Sequence, residues 1–389
     1  MRVLHVHSGN LYGGVETMLR TLARCHALCP EMRSEFALCF DGRIAAELAR
    51  AGATVHILGG VRARNPIKVA KARRWLVRIA TAGAFDAIIC HMLWPLAIFG
   101  PAVRRLNLPL IFWMHDAVMH TDWLTLWAQL SPPDLVICNS RFTASTLRRL
   151  FIGMPFKTLY YPVERSRKAT DSARRDLLRS QLKTSSDAIV LIQASRMERW
   201  KGHSLLLDAL AHLRNLPGWV CWIAGGPQRS EEIAYSKRLR SRAVDLGLQQ
   251  RVSFLGLRSD VPELLAAADI YCQPNIEPEP FGIVFIEALQ ASLPIVTSAG
   301  GGALEIVDES CGALVPFNDP ASLAMQLETL VTNDTLRHRL GAAGVRRAAQ
   351  LCEPRRQLQQ LHALIQNTPV AQPPRQVPLY EAYLTRHLD

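Results

Sequence analysis

The feature that most constrains the fold is a regular alternation of short apolar segments with longer segments of helical periodicity. Short apolar or β-branched runs are typical of strands buried in a parallel sheet, and the longer segments are typical of the helices that connect them. The strand candidates in the first 165 residues are Val3–His7, Phe36–Phe40, Thr54–Leu58, Asp86–Cys90, Leu110–Met114 and Leu135–Asn139. A last short strand of this part is predicted to end at Tyr161-Pro162-Val163. The helical patterns lie around residues 15–28, 43–51, 66–81, 122–130 and 141–151.

The same alternation begins again at Ala188 and continues to the end of the apolar pattern. The chain is therefore predicted to be an α/β protein with two tandem Rossmann-like doubly wound domains that face one another across a cleft. The strand candidates are Ala188–Ala194, Val220–Ala224, Val252–Leu255, Ile270–Gln273, Pro294–Thr297 and Ala313–Val315. The helical patterns lie near residues 202–214, 230–247, 261–267, 282–291, 320–331, 334–350 and 354–367.

The domain boundary is indicated by a change in composition. The segment from Glu164 to Lys183 is dense in Arg, Lys and Ser, which is typical of a linker with a short charged helix. We predict an N-terminal domain at 1–165, a linker at 166–186 and a C-terminal domain at 187–352. Residues 353–389 are predicted to cross back to the N-terminal domain. Their prolines at 368–378 indicate an extended connector before a last short helix.

Neither the apolar segments nor the cysteines point to a membrane-spanning or secreted protein. The longest uncharged stretch, Ala87–Val103, contains prolines and is short for a membrane span, so we interpret it as a buried strand followed by a packed helix. The N-terminus lacks the layout of a signal peptide. Nine cysteines with no Cys-x-x-Cys pair indicate reduced thiols, and we predict a cytoplasmic protein.

The positive charge is concentrated in the N-terminal half. Residues 1–165 carry 20 Lys and Arg against 10 Asp and Glu, out of a net charge of +12 for the whole chain. Seven of these cations fall between Arg62 and Arg78, interleaved with apolar residues and Trp75. This pattern favours peripheral binding to an anionic membrane surface, supported by Lys71, Arg73 and Arg74, although a solvated helix face has the same pattern. Nucleic acid is disfavoured, since the aromatic residues do not form a stacking platform.

Two carboxylates around a turn are the first candidates for a site. Glu279 precedes the turn Pro280-Phe281-Gly282, and Glu287 falls about one turn inside the apolar helix that follows. The free N–H groups at the start of that helix favour an anion. Alone, the pair is also compatible with solvent-facing glutamates on an amphipathic helix.

Other candidate residues fall at the ends of predicted strands, where ligands of open α/β sheets bind. Gly13-Gly14 allows a close backbone approach to a phosphate or sugar, or simply forms a tight turn. Arg196 and Lys201 have the charges to neutralise a diphosphate, or belong to an exposed basic loop. His115 is either a structural hydrogen-bonding residue or a ligand contact. No spacing of carboxylates and histidines suggests a metal site, and we predict none.

In combination these elements resemble the retaining glycosyltransferases of family 4, also called glycosyl transferases group 1, which have the GT-B fold. The resemblance spans nearly the whole chain and depends on the order of the motifs. These are Gly13-Gly14-Val15-Glu16, Arg196-x4-Lys201-Gly202, Gly225-Gly226-Pro227, Phe254-Leu255-Gly256, Glu279-x7-Glu287, Leu293-Pro294-Ile295-Val296 and Gly300-Gly301-Gly302.

The resemblance implies a role for each candidate residue. Glu279 would contact the donor hexose near the reacting centre, and His115 would contact the sugar. Glu287 would bind the ribose, and Arg196 and Lys201 would hold the diphosphate. The remaining donor-binding residues implied are Gly13, Gly14, Gly226, Phe281, Gly282 and Ile283.

The resemblance also implies the reaction. A hexose-type sugar would move, with retention of configuration, from a UDP- or GDP-type nucleotide sugar to a glycan or lipid-linked acceptor. That reaction would serve bacterial-type polysaccharide or glycolipid synthesis. The family generally needs no metal and no further cofactor. Family members often have Asn-Gly-Val-Asp where this chain has Tyr161-Pro162-Val163-Glu164, and the acceptor side is the least diagnostic part. Two alternatives stay open, a GT-B nucleotide-sugar epimerase and a catalytically silent partner that binds a sugar nucleotide.

Overall fold

The structure is a computed structural model, and it describes residues 1–9, 11–165 and 172–370. Three parts of the sequence-based prediction lie outside those ranges. They are Asn10, the first part of the predicted linker, and the predicted last helix with most of the proline-rich connector. Asn10 belongs to the segment that follows the first predicted strand and contains Gly13-Gly14, which we call the glycine loop.

The N-terminal domain is built around a seven-stranded parallel sheet with the order β3-β2-β1-β4-β5-β6-β7. Its strands are β1 (Arg2–His7), β2 (Arg33–Leu38), β3 (Val55–Ile57), β4 (Ala87–His91), β5 (Leu110–Met114), β6 (Leu135–Cys138) and β7 (Phe156–Thr158). Its helices are α1 (Gly14–Arg24), α2 (Arg43–Arg50), α3 (Pro66–Gly83), α4 (Leu93–Val103), α5 (Trp123–Gln129) and α6 (Arg141–Thr146).

The C-terminal domain is built around a six-stranded parallel sheet with the order β10-β9-β8-β11-β12-β13. Its strands are β8 (Ile189–Ala194), β9 (Trp219–Ala224), β10 (Val252–Gly256), β11 (Ile270–Gln273), β12 (Ile295–Ser298) and β13 (Gly312–Val315). The helices from the predicted linker to the end of the described chain are α7 (Ser172–Gln181), α8 (His203–His212), α9 (Ser230–Asp245), α10 (Val261–Ala267), α11 (Ile283–Gln290), α12 (Ala303–Ile306), α13 (Pro320–Thr332), α14 (Asp334–Cys352) and α15 (Pro354–Gln366).

The predicted fold class is confirmed, and the central strands show why the pattern was informative. Strands β4, β5 and β6 are buried at every position because helices cover both faces of a parallel sheet. Helix α4 is also buried along nearly its whole length, since α3 and α5 pack on either side of it. The uncharged stretch Ala87–Val103 is thus a strand and a packed helix, as predicted.

Two local predictions were wrong, and one helix was missed. The strand expected to end at Tyr161-Pro162-Val163 ends earlier, at Thr158, and pairs at the sheet edge with β6. The helix expected at 141–151 stops at Thr146, where a 3-10 turn takes over at Leu147–Arg149. Its first turn is rich in Ser and Thr, whose hydroxyls bond to nearby backbone and favour helix starts over helix interiors. Helix α12 was not predicted.

The described part of the predicted linker is mostly helix, and it packs on the C-terminal domain. Arg175 and Arg179 of α7 both pair with Asp269, at 2.7 and 2.6 Å, and also donate to carbonyl groups at the end of α10. At the other crossing, Val163 N–H donates to Cys352 O at 3.0 Å. Helix α15 then packs against the 3-10 turn His26–Leu28 of the N-terminal domain. The predicted domain bounds stay predictions.

Two further observations concern the apolar parts of the chain. All nine cysteines are buried free thiols. Among the described residues, no helix combines the length and apolarity needed to cross a bilayer.

Candidate active site

The candidate site is a cleft of about 1250 Å³ between the two domains. The carboxyl ends of the strands in both sheets face it, as expected for open α/β sheets. Every residue that was predicted to contact the donor lines this cleft: Gly13, Gly14, His115, Arg196, Lys201, Gly226, Glu279, Phe281, Gly282, Ile283 and Glu287. Their roles stay predictions, but the structure brings them to one place.

Glu279 is a buried carboxylate held by three donors. Its Oε2 accepts from Lys201 Nζ at 2.7 Å, Asn275 Nδ2 at 2.9 Å and Gln273 Nε2 at 3.2 Å. No described residue donates to Oε1, so that oxygen is available to a ligand hydroxyl. A buried carboxylate needs such partners to offset its lost hydration. The arrangement therefore fixes the carboxylate and leaves half of it unused.

The loop that carries Glu279 is positioned by an unusually close backbone contact. Glu279 pairs with Gly301 in an isolated parallel bridge, and Gly302 N–H donates to Glu279 O at 2.7 Å. Gly301 has φ +66°, and a Cβ there would lie 2.2 Å from Glu279 O. The glycine run at 300–302 is required because only glycine permits both the conformation and the approach.

The two predicted diphosphate ligands are paired with carboxylates in the structure. Lys201 Nζ bonds to Glu279 and lies 3.7 Å from the centroid of the Trp200 ring. Arg196 Nη2 pairs with Glu198 Oε2 at 2.9 Å. A diphosphate in the cleft would compete with these carboxylates for the two cations. Both cations are thus held in place before any anion arrives.

Helix α11 presents its N-terminus and Glu287 to the same space. Gly282 caps the helix in the left-handed conformation with no side-chain cap, and no described residue accepts from Ile283 N–H or Val284 N–H. These groups are orphan donors that favour an anion. Glu287 follows one turn later. Burial raises the pKa of Glu287 to about 7, although Arg20 opposes the shift.

The glycine loop of the N-terminal domain faces these groups. A Cβ on Gly13 would lie 3.9 Å from the Arg196 side chain, and one on Gly14 would lie 3.3 Å from Ile283. Gly13 has an extended backbone with φ −163°, so its conformation does not require glycine. The loop is held by Glu16, which accepts from Gly13 N–H at 2.8 Å and pairs with His7. Glycine here keeps the space open toward the other domain.

His115 ends a line of buried histidines that crosses the N-terminal sheet. Its Nε2 is 2.9 Å from His91 Nδ1, and His91 Nε2 is 2.9 Å from His5 Nδ1. At the other side of the ring, His115 Nδ1 is 2.6 Å from the Tyr161 hydroxyl, which also accepts from Asn139 at 2.9 Å. Both ring nitrogens of His115 are therefore engaged, and the predicted sugar contact would require one of these bonds to be exchanged.

Burial keeps this line neutral near pH 7. It lowers the pKa of His5 to about 3 and lowers the pKa of His91 and of His115 well below the usual range. It also raises the pKa of Tyr161 well above its usual range. No member of the line is therefore a strong base. His115 is better suited to orienting Tyr161 than to accepting a proton.

Two other predicted donor-binding residues present mainly backbone to the cleft. The Phe281 ring is buried and packs against Tyr161 and Tyr160, with centroids 4.8 and 5.7 Å away. A Cβ on Gly226 would lie 2.8 Å from Leu257 N, so that loop also requires a close backbone approach.

Several polar residues of the site were not identified from the sequence. Gln273 and Asn275 support Glu279, Arg20 lies close to Glu287, and Gln228 joins Tyr12 across the cleft. A signal existed for the first two, because amides at the end of an apolar strand need buried partners. Arg20 and Gln228 show no such signal, since Arg20 lies on an amphipathic helix and Gln228 lies in a polar loop.

The described ranges contain no group of three His, Cys, Asp or Glu residues that could hold a metal ion. Metal independence stays a prediction.

Two family models match the chain, one for each domain. The model described as Glycosyltransferase Family 4 matches residues 12–167, and the model described as Glycosyl transferases group 1 matches residues 174–347. Together they cover both walls of the cleft.

Curated relatives match parts of the chain. A phosphatidyl-myo-inositol mannosyltransferase of Mycobacterium leprae (strain TN) is 41% identical over 147 residues, which cover 37% of each chain. The lipopolysaccharide core biosynthesis glycosyltransferase LpsE of Rhizobium meliloti (strain 1021) is 30% identical over 167 residues, covering 43% of this chain and 46% of the relative. The chain thus spans less than half the length of these two relatives.

Among solved structures, Anabaena HepE in complex with UDP and glucose is similar over most of the chain. The TM-score is 0.83 at 25% sequence identity, and the alignment covers 94% of this chain and 100% of HepE.

Proposed function

Since the chain belongs to glycosyltransferase family 4 and has its two-domain GT-B fold, we propose that it transfers a sugar from a nucleotide donor. The donor would be a hexose-type sugar on a UDP- or GDP-type nucleoside diphosphate, with no further cofactor. The acceptor would be a glycan or a lipid-linked glycan. The binding of UDP and glucose by HepE, and the activities named for the bacterial relatives, support this proposal.

One observation carries the proposal. The Lys201 ammonium bonds to the Glu279 carboxylate at 2.7 Å, beside Arg196 and the uncapped start of α11. Groups suited to a diphosphate and a carboxylate suited to a sugar hydroxyl thus lie side by side, an arrangement that suits a nucleotide sugar. A site for a free sugar would not need the cations, and a site for a free nucleotide would not need Glu279.

The chemistry follows from where charge develops. As the bond between the anomeric carbon and the phosphate oxygen breaks, the departing diphosphate gains negative charge. Arg196, Lys201 and the N–H groups of Ile283 and Val284 are the groups that stabilise it. Attack from the same face would retain configuration, with the acceptor proton passing to a departing phosphate oxygen. No protein base is then needed, which agrees with the neutral histidine line.

The site is specific for its donor because its groups come from both domains. The glycine loop and the histidine line belong to one domain, and the glutamates and cations belong to the other. A nucleotide sugar contacts both, so its binding orients the sugar and excludes water from the reacting carbon.

The N-terminal domain also supports a peripheral location on the inner face of the cytoplasmic membrane. The exposed residues Ile67, Lys71, Arg74, Trp75 and Arg78 of α3 recur at helical spacing on its solvent face. Arg73 was also predicted to support membrane binding, but its side chain is half-buried and donates to Ile98 O of α4. The exposed cations of α3 available to anionic lipid are therefore Lys68, Lys71, Arg74 and Arg78.

The proposal is tested by substituting Glu279. A panel of nucleotide sugars is first screened by thermal shift, and the hit is then assayed for hydrolysis and for transfer to lipid-linked acceptors. For Glu279→Gln we expect kcat to fall by about 10²–10³, because a contact to the reacting sugar is lost. Donor binding should change much less.

Glu277→Gln is the matched control, since Glu277 is exposed two residues away and should keep full activity. Unchanged turnover in Glu279→Gln would refute the site assignment. Release of an isomerised nucleotide sugar without transfer would instead favour the epimerase. Donor binding without any turnover on the acceptor panel would favour the silent partner.

A further inference from the structure

Helix α5 has most of its large apolar side chains on the outside, and only Leu124 of these packs partly buried against the core. Trp123, Leu126 and Leu130 are 55%, 56% and 63% exposed, and Trp127 and Met119 are also exposed. The residues that it buries against α4 are the small Thr125 and Ala128. A soluble helix normally has the opposite arrangement. Scattered exposed apolar residues are ordinary, but four at helical spacing on one face, with Met119 a few residues before them in the chain, indicate an interaction surface.

The aromatic content of this surface is informative. The rings of Trp123 and Trp127 contact each other edge to face, with centroids 5.6 Å apart. Tryptophan is favoured at the boundary between lipid and water, where an apolar body meets a polar edge. The short length of α5 suits a helix that lies in this boundary and does not cross the bilayer.

The neighbouring surface carries the complementary charge. Helices α3 and α5 flank α4 on one face of the sheet, and the cations Lys71, Arg74 and Arg78 lie exposed on α3. At the other border, Arg149 donates to Val118 O and approaches Met119. Apolar side chains between groups of cations fit an anionic lipid surface.

The same face reaches the cleft. Arg62 just before α3, Trp94 at the start of α4 and Asp116 in the loop before α5 all line the cavity. A protein held on lipid by this face would have the acceptor side of its cleft next to the bilayer.

We infer that the exposed face of α5 inserts into an anionic membrane while α3 binds its headgroups, and that the acceptor is an amphiphile that enters the cleft from that membrane. The lipid-linked acceptor rests on the proposed glycosyltransferase function, whereas the membrane docking does not.

The test uses the full chain and vesicles of phosphatidylcholine with or without phosphatidylglycerol. Flotation measures the bound fraction, which requires no activity. For Trp123→Gln/Trp127→Gln we expect the partition coefficient on anionic vesicles to fall at least about tenfold, because two aromatic side chains lose their burial in lipid. Ile233→Gln/Val244→Gln on α9 is the matched control, since both residues are exposed and apolar but lie in the other domain. It should bind like the wild type.

A second readout separates docking from catalysis. Donor hydrolysis without vesicles should be equal in the α5 variant and the wild type, while transfer to a lipid-linked acceptor in vesicles should fall with the bound fraction.

Two results would overturn the inference. One is wild-type binding that does not depend on the phosphatidylglycerol content of the vesicles, and the other is an α5 variant that binds vesicles as well as the wild type does. A wild-type dimer in solution that the α5 substitutions convert to a monomer, with no vesicle binding, would show that a second copy covers this face. Failure of all transfer with intact vesicle binding would refute the proposed function and leave the docking standing.

Discussion

The predicted contact of Glu287 with the donor ribose would link donor binding to pH. Its carboxyl lies one turn inside α11 and lines the cleft, and burial raises its pKa to about 7. A carboxyl with a raised pKa is neutral below that value and ionises as the pH rises through it. The ionised form accepts hydrogen bonds from ribose hydroxyls more strongly than the neutral form. Donor affinity should therefore increase with pH.

The size of the effect follows from the ionised fraction. Only about a tenth of Glu287 is ionised one pH unit below its pKa, so we expect the donor Kd to decrease roughly tenfold between about pH 6 and pH 8. Titration calorimetry with an intact nucleotide sugar measures this, because its diphosphate has no ionisation in that range.

Glu287→Gln is the control for this dependence, since the amide keeps the shape but does not titrate. It should bind the donor weakly and equally at both pH values. The same pH slope in the variant would show that another group is responsible.

At the scale of elements, the histidine line depends on the order of three strands. His5 and His91 lie on β1 and β4, and His115 directly follows the end of β5. These three strands are neighbours in the sheet, and the rings stack with centroids 5.2 Å apart. A neutral imidazole has one donor and one acceptor nitrogen. All three rings must therefore share one tautomer. With the proton on Nε2 of each ring, His115 Nδ1 accepts from the Tyr161 hydroxyl; with the proton on Nδ1, His115 donates to Tyr161, whose own proton is then free to point into the cleft.

Breaking the line at its centre tests its role in positioning. For His91→Leu we expect kcat to fall by about tenfold with little change in donor Kd, because His115 loses the partner that fixes its tautomer. His91→Gln, which can still donate and accept, should recover part of the loss. Ring ¹⁵N shifts of labelled histidine report the tautomers directly. Mixed tautomers in the wild type, or protonation of these rings between about pH 6 and pH 7, would contradict the interpretation.

The helices and strands could be predicted from the sequence, but the contacts between them could not. Continuous apolar runs such as Leu110–Met114 mark strands buried on both faces, and the predicted bounds of that strand are those observed. The histidine line is invisible in sequence because His5 and His115 lie far apart until the strand order brings β1, β4 and β5 together. For α5, periodicity predicted the helix correctly but gave no indication that its apolar face points to solvent.

The site shows the same division. Glu279 and Glu287 could be found from their spacing around a turn, because the spacing itself encodes a loop followed by a helix. The support of Glu279 by Gln273 and Asn275 depends on the burial of a strand end, which only the packed structure shows. The exposed cations of α3 were likewise predicted as a group, whereas the loss of Arg73 to an α4 carbonyl depends on helix packing.

At the scale of the whole molecule, one carboxylate joins the two domains away from the cleft lining. Glu305 of α12 accepts from Arg141 N–H at 2.9 Å and Phe142 N–H at 3.0 Å, and so caps α6 of the opposite domain. It also accepts from the Tyr160 hydroxyl at 2.8 Å. Nearby, Ser140 Oγ donates to Pro280 O at 2.6 Å, next to the Glu279 loop. The capping of α6 is thus completed only when the domains are together.

We expect this interdomain contact to raise donor affinity, because it stabilises the closed arrangement of the two domains. A donor that binds across both domains is bound most tightly by the closed form, so any loss of closed form lowers its apparent affinity. Glu305→Ala removes three hydrogen bonds to a charged acceptor while leaving the cleft lining intact. We expect the donor Kd to rise about tenfold, which corresponds to roughly 1.4 kcal/mol, and small-angle scattering without donor to show a larger radius of gyration.

Graded variants distinguish closure from a direct effect on the site. Tyr160→Phe removes one of the three bonds and should give a smaller increase in Kd, whereas Glu309→Ala, an exposed carboxylate on the same domain, should give none. In saturating donor the scattering of Glu305→Ala should return to that of the wild type, because donor binding restores the closed form. A raised Kd with unchanged scattering in the free protein would mean that Glu305 acts on the site without opening the domains, and an unchanged Kd would mean that the interdomain cap does not limit closure.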